Sequence, residues 1–339
     1  MTSSMIVRLC LRRGLAVRLH AGFRYQIELI LASEFYDAVA GLLSKCAIYC
    51  SVQEAESWAC IGEERLLQAK WIKKDVGAYE IMAPEKEGSY HVVLRGVVQG
   101  ASEVMVLSWI SDAFEVCKED TVLGFTPKML TCLREFDVEE GNKFRFREEY
   151  GAGMGTHIYD STVVLMRFLC MQREAAGKEK EKQKERMDGL ALELGSGCGV
   201  LGVFLDTIYE SVLVTDKGSQ LPLLTRNVAD NEGRCEVSAL DWASPQDWLA
   251  LTAKMESLPP LRAVYGADIL YDAEAARHLV HLLVKLKALL PSESDRTVEV
   301  VIAQKMRGDE AVEVPQLFKS FSPEVACEES GVKVWRLAL

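Results

Sequence analysis

The chain contains no Cys-x-x-Cys pair, and its five histidines stand at no spacing that would complete a zinc site with the ten scattered cysteines. No metal is therefore expected. No apolar run reaches the roughly 18 residues that a membrane-crossing helix requires, so no membrane partner is expected either. Basic residues are in deficit, with 39 Lys and Arg against 50 Asp and Glu and a formal net charge of −11. Such a surface repels phosphate backbones, and no nucleic-acid partner is expected. Internal repeats are absent. Acids are missing altogether before Glu28, while Arg8, Arg12, Arg13, Arg18 and Arg24 lie among apolar residues. Residues 1–27 thus have the composition of a mitochondrial presequence, although an ordinary basic terminal segment reads the same way. The expected location is cytoplasmic, with a mitochondrial one as the alternative. Cysteine usage suits a reducing compartment, and Cys46 and Cys50, at a spacing that shares a helix face, are read as buried thiols.

What is present is a chain of 339 residues, 49% hydrophobic and 26% charged, the balance of a globular protein able to bury its own core without staples. That length suits one large or two ordinary domains, and a monomer is expected. Residues 28–142 form a first, α+β region. Ile27, Ile30, Leu31, Phe35 and Val39 stand at helical spacing, so 25–70 is expected to be helical. Residues 90–98 and 103–108 read as strands joined by a turn around Gly100 and Ala101, and 112–133 as helix in pieces. This region carries no chemical motif. The Lys/Glu run at 174–186 reads as a solvated helix extension or a mobile insertion.

From residue 143 onward the pattern changes. Apolar β-type runs recur at 190–194, 211–215, 236–240, 262–267 and 297–303, separated by helical stretches of which 273–290 is the clearest. Alternation of this kind predicts an α/β fold, a mostly parallel sheet covered on both faces, here closed by an antiparallel edge hairpin at 324–327 and 332–338. The first of these runs ends in Gly195-Ser196-Gly197-Cys198-Gly199 and a helix. Glycines there allow a tight turn and close approach of a ligand to free N–H groups. Asp216 ends the next run, where a carboxylate can accept bonds from ribose hydroxyls. Gly197, Gly199 and Gly202 also spell a dinucleotide motif, so a nicotinamide oxidoreductase stands as an alternative. Glu193 favours a cationic cofactor carrying an amino acid group over a pyrophosphate. Asp241 and Trp242 follow the third run, where an acid can bond an adenine amino group and an aromatic ring can stack on the base.

Several blocks in this half resemble the seven-strand protein-lysine methyltransferases called methyltransferase family 16. They are Gly155-Thr-His-Ile-Tyr-Asp-Ser-Thr-Val-Val-Leu165, Leu192-Glu-Leu-Gly-Ser-Gly-Cys-Gly199, Leu240-Asp-Trp242 and Gly266-Ala-Asp-Ile-Leu-Tyr-Asp272. Val214-Thr-Asp216 and Leu224-Thr-Arg-Asn-Val228 suit the family's second strand and the helix after it. The resemblance spans residues 143–339 and implies a Rossmann-like seven-stranded methyltransferase sheet. It implies S-adenosyl-L-methionine as cofactor and a protein substrate presenting a lysine. It also implies cofactor contacts at Tyr159, Glu193, Gly195, Gly197, Gly199, Asp216, Asp241, Trp242 and Ala267. Tyr159 departs from the tryptophan usual in the family. Asp268 and Tyr271, spaced Asp-x-x-Tyr, are implied to meet the incoming lysine, the carboxylate orienting the amine and the ring walling its channel. The alternative is that Asp268 caps the following helix and Tyr271 packs under it.

Other acceptors fit less well. A base-amino methyltransferase needs an Asn/Asp-Pro-Pro-aromatic loop after this strand, and a cytosine-carbon enzyme needs a Pro-Cys nucleophile; the chain has neither. A non-catalytic binding protein with a degenerate methyltransferase fold remains the third reading.

Overall fold

In the computed structural model the described residues are 5–11, 18–22, 24–32, 39, 42–73, 76–99, 104–118, 131–139, 142–149, 153–176, 186–271, 273–290, 297–307 and 314–339. The chain divides between Gly153 and Met154 into two compact units. The boundary therefore falls later than the expected 142/143. The hairpin Thr131–Glu139 and Asn142–Glu149 pairs into the first unit, through Leu133 opposite Ile110.

All regular structure described in the first unit is β, apart from one 3-10 turn at Leu43–Lys45. A five-stranded sheet contains Met5–Leu11 between Arg24–Ala32 and Val104–Leu107. An eight-stranded sheet is built around Gly88–Val98. Leu9, Leu29, Leu31 and Tyr79 of the first sheet share one core with Ile48, Leu94 and Trp109 of the second. The helix expected over 25–70 is not found: the segment contains Arg24–Ala32, Cys46–Glu54 and Arg65–Leu67 as strands. Ile27, Leu29 and Leu31 are buried at every second position, the period of a strand, and this outweighs the helical spacing of a wider apolar set. Phe35 lies outside the described residues, as do residues 119–130 and the turn at 100–101. The part of 112–133 that is described contains Phe114–Cys117 and the start of Thr131–Glu139, both strands. The two strands at 88–98 and 104–107 form as expected but in different sheets; the second pairs in parallel with Met5–Leu11. Residues of the basic N-terminal segment are thus an inner strand here, with Arg8 fully buried.

The second unit is the expected doubly covered sheet. We label its elements α1 (Asp160–Ala176), β1 (Met187–Leu194), α2 (Val200–Leu205), β2 (Tyr209–Asp216), α3 (Leu221–Asp230), β3 (Glu236–Ala239), α4 (Pro245–Met255), β4 (Leu261–Ala267), α5 (Ala273–Leu289), β5 (Glu299–Lys305), α6 (Val314–Leu317), β6 (Glu324–Glu329) and β7 (Val332–Ala338). Strand order is β3-β2-β1-β4-β5-β7-β6, with β1 to β5 parallel, β7 antiparallel to β5, and β6 antiparallel to β7. The order reverses at β1, so the carboxyl ends of β1, β2 and β4 meet at the switch point where open sheets of this kind bind ligands. Leu190, Leu192 and Leu194 of β1 face the core that α5 covers with Leu279, Leu282, Leu283 and Leu286. The Lys/Glu run begins inside α1 and continues outside the described residues.

Candidate active site at the carboxyl edge of the sheet

β1 ends at Leu194, and the chain turns through Gly195 to Gly199 into α2. The backbone at Gly197 has φ +52°, and a Cβ there would lie 2.9 Å from the Gly155 carbonyl oxygen. A side chain is thus excluded twice, by strain and by contact. The 154–159 segment runs over the loop at this point, with the Cys198 thiol directed to the same carbonyl at 3.8 Å. Gly195 and Gly199 are also left-handed, and Gly199 starts α2.

Asp216, the last residue of β2, closes the loop from the side. Its Oδ2 accepts the Gly197 N–H at 2.7 Å and its Oδ1 accepts the Lys217 N–H at 2.7 Å. Burial pushes its carboxyl pKa up, and these two N–H groups oppose the rise. Each oxygen keeps a further lone pair, which suits a pair of ribose hydroxyls.

Glu193 is placed differently from the expectation. Strand alternation puts it on the face opposite Leu192 and Leu194, under α2, where it is 2% exposed. Its carboxyl accepts bonds from the Ser196 side chain and the Gly202 backbone, and Oε2 has no hydrogen-bond partner. Burial pushes its pKa up to about 8. At neutral pH it is chiefly a buried acid beneath the loop rather than an open anion at the rim.

Trp242 is half-buried, and its ring lies 3.7 Å from a Cβ built on Gly195. Asp241 stands on the same rim: its backbone N–H donates to Asp247 Oδ2 at 2.8 Å, its Oδ1 accepts the Ala243 N–H at 3.0 Å, and its Oδ2 is 4.0 Å from Lys217 Nζ. Ala267 ends β4 opposite Ala303 of β5.

Asp268 follows with φ +59°, a rare conformation for a residue with a side chain, and its N–H donates to the Ala303 carbonyl at 2.8 Å. The carboxylate accepts from Gln304 Nε2 at 2.8 Å and from Arg307 Nη1 at 2.9 Å, and Arg307 Nη2 contacts its second oxygen. Tyr271 is 44% exposed, so it does not pack under α5. Tyr159 donates from its hydroxyl to the Met154 carbonyl at 2.9 Å, and the Arg307 guanidinium carbon stands 5.8 Å from its ring. Next to it Asp160 opens α1, buried and paired with Lys305.

The fold therefore brings the glycine loop, Asp216, Trp242, Asp268 and Tyr159 to one sheet edge. Sequence reading missed Gln304, Lys305 and Arg307, because it ended the fifth strand at Ala303. The strand-end rule that found Asp216 and Asp268 points equally to the end of β5. These residues fit an adenosyl cofactor: the loop has space only while its positions lack Cβ atoms, and Asp216 keeps acceptor sites.

A family model described as lysine methyltransferase matches residues 138–320, more than half of the chain. The chain belongs to the lysine methyltransferase family. Its cofactor is S-adenosyl-L-methionine, and its reaction class is methyl transfer to lysine, which decides the glycine loop against the nicotinamide reading. Among curated relatives, protein N-lysine methyltransferase METTL21A of Danio rerio is 28% identical over 176 residues, 50% of this chain and 72% of that protein. METTL21A of Xenopus tropicalis is 26% identical over 40% of this chain and 57% of the relative. EEF1A lysine methyltransferase 3 of Xenopus tropicalis is 28% identical over 39% of this chain and 53% of the relative. The chain thus spans little more than half the length of the last two. The solved T. thermophilus 16S rRNA N2 G1207 methyltransferase, in complex with AdoMet and guanosine, overlays with a TM-score of 0.42 at 11% identity, covering 80% of this chain and 57% of that one. That likeness is too slight to bear on the substrate of this lysine methyltransferase.

Proposed function

We propose that this methyltransferase acts on a lysine side chain of a protein partner, as a monomer in the cytoplasm, with the acceptor entering beside Tyr271. The observation that carries the reading is the exposed Tyr271 three residues beyond Asp268, on the same edge as the glycine loop, in a chain of this family. S-adenosyl-L-methionine supplies a methyl group on a sulfonium, which an amine takes by in-line displacement. The chain's own residues bind and orient. Gly195 and Gly197 let the backbone approach the amino acid end, Asp216 takes the ribose hydroxyls, and Trp242 with Asp241 takes the adenine. Tyr271 walls the acceptor channel and excludes water from it. A free lysine has a pKa near ~10.4, and desolvation in such a channel favours the neutral amine that the displacement needs.

The test is transfer from methyl-labelled cofactor into lysate protein, with mass spectrometry of the labelled peptides. Methyl groups on lysine are expected. Asp216→Ala should lose both S-adenosylhomocysteine binding and transfer, whereas Tyr271→Ala should keep binding and lose at least tenfold in rate, roughly the 1.4 kcal/mol of a lost positioning contact. Label recovered on nucleic acid, or on a residue other than lysine, refutes the substrate claim. The cytoplasmic location is supported by the inner strand Met5–Leu11, which presequence cleavage would remove. A fluorescent fusion of the full chain found in mitochondria would contradict it.

A further inference from the structure

The carboxylate implied to meet the acceptor amine is already occupied. Arg307 grips Asp268 with both terminal nitrogens, a planar fork matched to a carboxylate. The Asp268 side chain is 3% exposed and that of Arg307 is 29% exposed, so the guanidinium is the outer member of the pair. Arg307 also stands beside the Tyr159 ring. It therefore lies between a residue assigned to the cofactor and one assigned to the acceptor.

Withdrawal of Arg307 would leave Asp268 held in place. Gln304 Nε2 still donates to Oδ1, Gln304 Oε1 still accepts the Leu270 N–H at 2.9 Å, and the Asp268 N–H still donates to Ala303. What would remain is a preformed, nearly buried anionic site open on the side that the guanidinium now covers. A lone buried carboxylate is costly, and exchange of one cation for another avoids it at every stage.

We propose that Arg307 is a specificity-determining residue that fills the cation site of Asp268 until the acceptor lysine arrives as an ammonium and displaces it, giving up its proton to the Asp268 carboxylate before the neutral amine attacks. This rests on the lysine-transfer reading above. Arg307 thereby makes acceptor binding an exchange, and only a cation able to reach past Tyr271 and replace a bidentate guanidinium gains the carboxylate. The backbone strain at Asp268 is consistent with a position held for a ligand rather than for the fold alone.

The test compares wild type, Arg307→Ala and Arg307→Lys, full-length, with labelled cofactor and increasing lysate protein. S-adenosylhomocysteine affinity is measured alongside as a check on folding. If the pair is closed in nine of ten molecules, Arg307→Ala should lower KM by about tenfold without lowering kcat. Arg307→Lys should keep the wild-type KM, since a cation still fills the site. Methylguanidinium serves as a probe that needs no turnover: calorimetry should show it binding Arg307→Ala and not wild type. A fall in kcat with KM unchanged or raised, or absence of methylguanidinium binding to a variant that still binds S-adenosylhomocysteine, overturns the proposal. Should Arg307→Ala lose S-adenosylhomocysteine binding, Arg307→Gln is read by the same criteria. Wild type that labels no lysine while Arg307→Ala binds methylguanidinium would refute the substrate reading and leave the cation site standing.

Discussion

Glu193 makes the stability of the second unit depend on pH in an uncommon direction. Its carboxyl titrates near 8 in the folded chain against 4.5 for an ordinary glutamate, chiefly because burial penalises the charge. The folded state therefore holds the proton more tightly than the unfolded state. The stability this confers is complete below about pH 4.5, falls as pH rises, and is exhausted above about pH 8. At 1.36 kcal/mol per pKa unit the whole loss is about 5 kcal/mol as a ceiling, and about 3 kcal/mol of it is gone by pH 7. Glu193→Gln keeps the shape of the neutral acid and cannot ionise. A buried amide without an acceptor costs about 1–3 kcal/mol at every pH, so the slope and not the offset is diagnostic. Urea unfolding followed by tryptophan fluorescence reports this unit through Trp242, Trp248 and Trp335, which pack in its core. Between pH 5 and 8 the wild type should lose up to about 3.5 kcal/mol relative to the variant. Asp216 also has a raised pKa and is present in both proteins, so only its smaller coupling to Glu193 enters the difference. Parallel pH profiles for the two proteins would refute the reasoning.

Two further perturbations test other parts of the chain. Gly197→Ala places a Cβ 2.9 Å from the Gly155 carbonyl at φ +52°. It should cost on the order of 1–3 kcal/mol in urea unfolding and abolish S-adenosylhomocysteine binding by calorimetry. In the first unit, Arg134 and Glu148 pair at 2.7 Å with both side chains fully buried. Glu148→Ala should destabilise that unit by about 3–5 kcal/mol, because it leaves a buried guanidinium without its carboxylate. Buried Trp109 provides the fluorescence signal, and an unchanged unfolding midpoint would show that the pair contributes nothing.

The second unit was legible from residues alone. Parallel strands buried on both faces read as continuous apolar runs, and the helices between them imply a sheet covered on both faces. The glycine loop and Asp216 were legible as well, since a tight turn at a strand end restricts which residues stand there. The first unit was not. Its strands pair with segments far off in the chain, as Met5–Leu11 does with Val104–Leu107, and the apolar spacing of 27–39 suits a helix until a partner sheet exists.

Sequence by itself determined the alternation of strands and helices in the second unit, where the cofactor loop sits, and that Asp216 and Asp268 stand at strand ends on one edge of the sheet. Tertiary structure alone decided their state. It buried Glu193 under α2 and raised its pKa, and it set Arg307, 39 residues onward, on the carboxylate of Asp268. Burial and charge pairing arise between segments that meet only after folding, so no local pattern encodes them.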